Sequence, residues 1–302
     1  MEVASQSVSF SENSDSSLGN QQPSSLANNS APENLGENKE VSVLFADICR
    51  YSSLAEKLSS EVVANLLNEY FETMMEAIFK YKNQLDNQIE SACIDGRLVA
   101  IFGSPKSLAD HAWWAVVMAK EMYQHLAHFN AQKFTANQEK IKIGIGINSY
   151  TQKNSSRIGA NSRMEFMAIG EGVHLSYRLE GVCKQYGCDI IMSEDTYNCC
   201  RDRITVRELD FIRLPGHKKP ISIYEFLGFS SEQIPEQKQQ VIDHYYKGRE
   251  YYRQRKFGIA MGEFATVMEL DSNDKASAIQ LARCQHWLKT PPADEWDGSW
   301  TV

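Results

Sequence analysis

The chain has 302 residues, of which 42% are hydrophobic and 23% are charged, so it is long enough to form two domains with buried cores. Its formal net charge of −8 argues against a general nucleic-acid binder, because such a protein needs an excess of Lys and Arg to displace phosphate counterions. We therefore expect no nucleic-acid partner, whereas a small anionic ligand stays compatible with a locally positive site.

The cysteines and the apolar segments indicate the cellular compartment in which the protein is expected. The 7 cysteines include no Cys-x-x-Cys pair, so the sequence indicates neither a zinc site nor a disulfide framework. No apolar run reaches the roughly 18 residues that a membrane helix needs, and the N-terminus carries no secretory signal pattern. We expect a soluble cytoplasmic protein with reduced thiols and no membrane span.

The first half of the chain begins with a polar segment and continues with alternating structure. Residues 1–39 are dominated by Ser, Asn, Gln and Glu, which predicts a disordered tail. A strand is expected at 41–46, and helical spacing of apolar residues follows from 53 to 82, with Ser59 as a cap that divides it into two helices.

A β-hairpin is predicted at 88–103, QIESACIDGRLVAIFG, because two strand-like runs meet at Asp95-Gly96. Helical spacing returns at 110–129, and 141–147 alternates like a strand. Residues 148–163 are expected to form a polar loop or a hairpin arm.

The pattern then gives a helix over 172–186 that ends at Gly187, and it closes with more strands and one more helix. Those later elements are a strand at 189–192, a helix opened by Ser193, and strands near 205–212 and 221–227. This order favours an α+β or α/β fold in which helices cover the faces of one sheet.

Residues 236–290 give helix, turn, helix, turn and helix, an extension that resembles a tetratricopeptide repeat (TPR) plus a partial one. A single repeat cannot bury its own apolar face, so we expect it to pack on the main domain or on a protein partner. Tyr245, Tyr251, Tyr252 and Phe257 are the candidate contact residues, and the alternative is a three-helix appendage without a recognition role. Residues 291–302 are expected to form a C-terminal tail.

Several segments between 40 and 229 resemble the class III adenylate and guanylate cyclase domain of bacterial type. They are VSVLFADICRYSSLAEKL, ANLLNEYFETMMEAIFKY, LVAIFGSP, IGIGIN, RMEFMAIGEGVHLSYRLEGVCKQYGCDIIMSEDTY and ISIYEFLG. The resemblance implies a ferredoxin-like α+β fold with a mainly antiparallel central sheet. It also implies a site formed between two cyclase domains, in a homodimer or a heterodimer.

The family's reaction is the attack of a ribose 3′-oxygen on the α-phosphate of a nucleoside triphosphate, with two divalent cations, Mg²⁺ or Mn²⁺, held by two aspartates. By this resemblance Asp47, with Ile48 beside it, is the first metal ligand; the alternative for Asp47 is a strand-end residue that caps a helix. The residues that would then cradle the phosphates are Cys49, Arg50, Tyr51 and Ser52.

The second metal ligand is the weak point of the resemblance. The family pattern is similar to LDKFIGDAIMAVFG, and this chain is longer between the two ends of that pattern. Anchored on Leu85-Asp86, the aspartate position falls on Ser91; anchored on the AIFG sequence, it falls on Gly96. Asp95 is one residue away and is a candidate ligand, with a turn former as the alternative.

The base-reading and transition-state positions have changed as well. Asn87 stands at the position of the base-reading Lys, and Met167 replaces the residue that accepts a hydrogen bond from the base. His174 replaces the transition-state Asn, whereas Arg178 matches the family's Arg; their alternatives are a structural histidine and a surface ion pair. Lys218 is a candidate substitute near the end of the domain.

We therefore predict a degenerate cyclase that acts in cyclic-nucleotide signalling as a pseudo-cyclase or a dimer partner and needs no cofactor. One alternative is an active cyclase that converts ATP or GTP to the cyclic monophosphate and pyrophosphate with Mg²⁺ or Mn²⁺. The other is an interaction module that binds a protein through 236–290.

Overall fold

The structure is a computed structural model, and its described residues belong to one compact unit, Gly36–Val302. The described ranges are 38–49, 59–86, 88–94, 96–135, 138–152, 171–216 and 219–302.

Within the described ranges the strands form one open sheet of eight in the order β2-β3-β1-β4-β5-β7-β6-β8. They are β1 (Lys39–Cys49), β2 (Ile89–Ile94), β3 (Arg97–Phe102), β4 (Lys142–Gln152), β5 (Ile190–Ser193), β6 (Ile204–Arg213), β7 (Ile221–Phe229) and β8 (Trp300–Thr301). The pairs β4–β5 and β6–β8 are parallel, and the other neighbours are antiparallel. The predicted α+β class with one mainly antiparallel sheet is confirmed.

Seven helices in the described ranges accompany this sheet. They are α1 (Ser60–Gln84), α2 (His111–Lys133), α3 (Glu171–Tyr186), α4 (Glu194–Cys200), α5 (Glu236–Arg253), α6 (Phe257–Leu270) and α7 (Lys275–Lys289). The predicted caps are confirmed: the Ser59 and Ser193 hydroxyls accept hydrogen bonds from the first turns of α1 and α4. Gly187 follows α3 at φ +70°, a left-handed conformation that glycine adopts without strain.

The two faces of the sheet carry separate apolar cores, because successive residues of a strand point to opposite sides. In β1 the side chains of Leu44, Ala46 and Ile48 join a core with α1 and α2. Val41, Val43 and Phe45 lie on the other face, where Val173 of α3 packs against them. Asp47 has the same parity as this second set, so its side chain is on the α3 face.

A chain of buried hydrogen bonds links β1, β4, α2 and α4. The Ser42 hydroxyl lies 2.7 Å from His111 Nδ1 and 2.6 Å from the Ser149 hydroxyl, which in turn lies 3.0 Å from Thr196. Burial lowers the pKa of His111, against the opposing effect of nearby carboxylates. The imidazole therefore resists protonation in the folded chain.

Strand β4 is longer than the sequence predicts, and strand β8 is not predicted from the sequence. Strand β4 continues to Gln152 instead of ending near 147, because β1 begins at Lys39 and pairs with it along its whole length. Near the C-terminus, β8 extends the sheet beside β6, and the Val302 amide donates to the Arg213 carbonyl at 3.2 Å. Neither the polar end of β4, residues 148–152, nor β8 has apolar alternation that would have indicated it.

Helices α5, α6 and α7, here called the helical extension, share one apolar core with α3, β5, β6 and β7. Tyr245 and Tyr252 are 0% exposed and Phe257 is 6% exposed in this core. The expectation that these three side chains contact a partner protein is therefore wrong, because they already pack inside the chain. The alternative, packing of the extension on the main domain, is what the structure shows.

Buried ion pairs reinforce this packing. Asp210 of β6 is 0% exposed and contacts Arg249 of α5 at 2.9 Å, Arg283 of α7, and the Tyr186 hydroxyl at 2.5 Å. A second set joins Arg207 of β6 to Glu225 of β7 and Asp274 at the start of α7, at 2.7 and 2.6 Å. Both sets tie the extension to the sheet by charges that are largely shielded from solvent.

Candidate functional site

The candidate site is centred on Asp47, near the end of β1. Asp47 is paired with Gly144 of β4, and its Oδ1 accepts a hydrogen bond of 2.8 Å from the Ile48 amide. The carboxylate side chain is 18% exposed, so it lies at the rim of the α3 face rather than in bulk solvent.

Glycines in β4 determine which helix lies over Asp47. A Cβ atom at Gly146 would lie 2.3 Å from the Glu180 amide nitrogen, and one at Gly144 would lie 2.9 Å from the Cβ of Cys183. The backbone of α3 therefore packs directly on these two positions, while the isoleucines of IGIGI face the opposite core. This close approach brings the C-terminal half of α3 to the carboxylate.

Two basic side chains contact Asp47. Lys184 of α3 donates from Nζ to Asp47 Oδ2 at 2.7 Å, and Arg97 Nε lies 3.5 Å from the same oxygen. Lys184 Nζ is also 3.0 Å from Oε1 of Glu180, whose side chain is 3% exposed. The carboxylate of Asp47 is thus in an ion-pair cluster within its own chain.

The pKa shifts in this cluster have two causes. Burial raises the pKa of the Glu180 carboxyl, and the hydrogen bond from Lys184 only partly opposes it. Burial alone would lower the pKa of Lys184, but hydrogen bonds to Asp47 and Glu180 raise it. The lysine is therefore the stably charged member that neutralises both acids.

The order of the strands decides between the two alignments of the hairpin. Strand β3 lies directly beside β1, with Leu98 opposite Ala46, whereas Ser91 in β2 pairs with Ala100 and is one strand farther away. Extending the β1–β3 register by one residue places Arg97 opposite Asp47. The position next to Asp47 is therefore at Gly96 and Arg97, and Gly96 has φ +77° with no side chain.

Arg97 is held in place by aromatic contacts. Its guanidinium lies 5.1 Å from the centroid of the Tyr177 ring, and that ring packs edge-on against Phe45 at 5.9 Å. Such a cation–π contact orders an arginine side chain that would otherwise sample several conformations at a partly exposed site. Arg97 is therefore held in a defined position beside Asp47.

The two predicted transition-state residues lie nearer the N-terminus of α3 than Glu180 and Lys184 do. His174 and Tyr177 are exposed and Arg178 is half-buried, so His174 and Arg178, four residues apart, share one side of the helix. A Cβ at Gly216, in the turn between β6 and β7, would lie 3.5 Å from Arg178 Nη2. Within the described residues no hydrogen bond or ion pair joins either residue to Asp47, and Arg178 and Lys184 are roughly 9 Å apart along the helix axis.

Other predicted site residues lie outside the described ranges, and their roles stay predictions. They are Arg50, Tyr51, Ser52, Asn87, Asp95, Met167 and Lys218. Of the phosphate-cradle positions, Cys49 is described; burial raises the pKa of its thiol, which therefore stays protonated near neutral pH.

Only part of the predicted metal site lies within the described residues. No group of three or more His, Cys, Asp and Glu side chains in those ranges is arranged to hold a metal ion. The one predicted acid that is described, Asp47, is engaged by Lys184 and Arg97, and both carry positive charge into the place where a cation would bind.

Sequence reasoning missed Lys184, Glu180 and Arg97. Glu180 and Lys184 form a Glu-to-Lys pair four residues apart on a helix, a spacing that indicates an ion pair but not its contact with Asp47. Arg97 stands at the alanine that follows the aspartate in the family pattern, so a basic residue there was a visible signal. Neither signal can be interpreted without knowing the order of the strands in the sheet.

Comparison with known proteins identifies the family. A family model described as the adenylate and guanylate cyclase catalytic domain matches residues 34–228, which is more than half of the chain. The chain therefore belongs to the class III adenylate and guanylate cyclase family.

Individual relatives agree with this assignment. The chain is 26% identical over 255 residues to the terminal-differentiation specific adenylate cyclase of Dictyostelium discoideum, a match covering 83% of this chain and 12% of that protein. It is 29% identical over 194 residues to the adenylate cyclase of Anabaena cylindrica, covering 62% of this chain and 36% of that protein. The chain therefore spans about a third or less of these relatives' lengths.

Among solved structures, the adenylyl cyclase CyaB from P. aeruginosa superposes with a TM-score of 0.56 at 26% identity. That superposition covers 66% of this chain and 99% of the CyaB chain. The predicted cyclase fold is therefore confirmed. In addition, no helix in the described ranges is long and apolar enough to cross a membrane.

Proposed function

We propose that this chain is a cyclase-family protein of cyclic-nucleotide signalling whose own site is degenerate and which acts as the partner of another cyclase domain. The observation that carries the proposal is the engagement of Asp47 by Lys184 at 2.7 Å and by Arg97 at 3.5 Å. The proposed role is consistent with the family of the relatives, but it differs from the adenylate cyclase activity for which they are named.

The chemistry of the family explains why this contact matters. Two cations lower the pKa of the attacking hydroxyl and hold the phosphates, so the acids that bind them must be free to do so. Here Asp47 is neutralised by basic side chains, and the adjoining hairpin position is Gly96. Since the loss of one electrostatic stabiliser commonly costs roughly 10²–10³ in rate, we expect little turnover from this chain alone.

A role as a dimer partner is supported by the outer side of α3. His174 and Tyr177 are exposed there, and Arg178 is half-buried beside them. In the family the site lies between two domains, so these side chains can serve a second domain, in a homodimer or a heterodimer, rather than Asp47 of the same chain. Mg²⁺ or Mn²⁺ would then be held by the other domain's acids.

The test is a cyclization assay of the purified full chain with ATP and with GTP in Mn²⁺. We expect no product that depends on Asp47, so wild type and Asp47→Ala should give the same background. The matched control is Asp202→Ala, which removes a carboxylate whose side chain is 93% exposed. Cyclic nucleotide made by wild type and by the control but not by Asp47→Ala would contradict the proposal.

An active cyclase is the second candidate, because the named relatives are adenylate cyclases. In that case Asp95 would be the second metal ligand and would act with Asp47. The same assay with Asp95→Asn distinguishes the two: the active enzyme requires both acids, whereas the degenerate protein is insensitive to either substitution.

A further inference from the structure

The Lys184 ammonium lies between two carboxylates of different burial. Its Nζ is 2.7 Å from Asp47 Oδ2 and 3.0 Å from Glu180 Oε1. Oxygen atoms of two acids facing one positive centre form the arrangement that a bound cation also requires. In this chain the positive centre is supplied by a side chain.

The Lys184 ammonium compensates the burial of the Glu180 carboxylate. Glu180 is 2% exposed, and within the described part of the chain the contact with Lys184 Nζ at 3.0 Å is what compensates its burial. A buried carboxylate without a compensating charge is strongly destabilising. Without a cation beside it, Glu180 would therefore have to take up a proton in order to stay buried.

The charges of the cluster already balance. Asp47 and Glu180 contribute two negative charges, and Lys184 and Arg97 contribute two positive ones. A divalent ion on Asp47 would leave two excess positive charges at a site that is partly shielded from solvent, where repulsion is weakly screened. Binding such an ion would therefore require Lys184 to leave Glu180.

We propose that Lys184 is the resident cation of this site, a positioning residue that joins Asp47 to Glu180 and, together with Arg97, takes the place of a divalent ion. This inference deepens the proposed function, on which it rests for the view that Asp47 is no longer a metal ligand. Asp47 then serves as an ion-pair partner that fastens α3 to the end of β1.

The test measures Mn²⁺ uptake by the full chain without nucleotide, from the loss of the free Mn²⁺ signal in electron paramagnetic resonance. Wild type and Asp47→Asn should take up equal amounts. Lys184→Met should bind Mn²⁺ at least roughly tenfold more tightly than wild type, because it frees two acids from a fixed positive charge. The gain should disappear in the Lys184→Met/Asp47→Asn double variant, and Lys289→Met, at an exposed lysine, should match wild type.

Two results would overturn the proposal. One is Mn²⁺ uptake by wild type that Asp47→Asn removes, and this comparison holds even if Lys184→Met does not fold. The other is a folded Lys184→Met that binds no more Mn²⁺ than wild type. Since cyclase activity is assayed separately, an inactive chain that binds Mn²⁺ through Asp47 would refute this inference alone, and an active chain with the expected Mn²⁺ pattern would refute only the proposed function.

Discussion

Replacement of Asp210 by Asn removes the charge that holds the helical extension on the sheet while preserving the shape of the side chain. The carboxylate is 0% exposed and is shared by Arg249 and Arg283, which are 1% and 4% exposed. In Asp210→Asn both guanidiniums stay buried, and their strongest anionic contact is gone. A further acid near Arg249 among the described residues is Glu208, at 3.9 Å.

The magnitude follows from the desolvated state of the pair. Removal of one partner of a buried ion pair costs about 3–5 kcal/mol, because the other charge stays in a low-dielectric environment. This is a large fraction of the roughly 5–15 kcal/mol that stabilises a typical folded protein. At about 2–4 °C for each kcal/mol, the melting temperature should fall by roughly 10 °C.

The assay is equilibrium unfolding in urea, followed by circular dichroism and by tryptophan fluorescence. Trp287, Trp296 and Trp300 are in or beside the helical extension, so fluorescence reports on it directly. Asp202→Asn is the matched control, because its side chain is 93% exposed, and it should change stability by less than about 0.5 kcal/mol. The Asp210→Asn/Arg283→Met double variant should be less destabilised than the sum of its two single variants.

A decrease of less than about 1 kcal/mol for Asp210→Asn would refute this reasoning, since a buried pair must cost more than a surface pair when it is broken. Simple addition of the two single effects in the double variant would also refute it, because it would show that the carboxylate and the guanidinium do not interact.

Further changes test the packing and the titrating groups. Gly146→Ala should destabilise the chain by about 1–3 kcal/mol in urea unfolding because its Cβ would clash with the Glu180 backbone, whereas Gly181→Ala, with open space around it, should be neutral or stabilising. Since burial lowers the pKa of His111 below its unfolded value, stability should fall as pH decreases from 7 towards 5, and His111→Gln should flatten that slope between the two pH values. Burial alone would raise the pKa of Asp274, but an arginine of β6 lowers it, so its stabilising effect is present above about pH 4 and lost below it. Asp274→Asn should therefore lose less stability than wild type when urea unfolding is compared at pH 5 and pH 3.

Local signals were enough to predict most of the main domain. A serine cap begins α1, a glycine ends α3, and Gly96, at φ +77°, lies between the paired strand ends Ile94 and Arg97 of the hairpin. The alternation of IGIGI also predicted a strand, although its glycines gave no hint that a helix backbone lies on them. Signals of this kind depend on neighbours in sequence, which is why they could be interpreted without a structure.

The candidate site was less predictable, because its contacts join distant parts of the chain. Asp47 was identified from its neighbours, but its engagement by Lys184 depends on how closely α3 approaches β4. The alignment of the hairpin depended on which strand lies beside β1. Two-residue β8 and the polar end of β4 have no pattern of their own, and they are strands because of their partners.

The shared core of the helical extension has a consequence for dissecting the protein. A truncation after 235 would remove part of the core around Leu209, Ile212 and Ile223, all 0% exposed in the full chain, and Asp210 would lose Arg249 and Arg283. Because exposed apolar sheet surface promotes aggregation, we expect the shortened chain to be insoluble rather than a working domain. Point substitutions on the outer surface are therefore the sound way to separate the roles of the two parts.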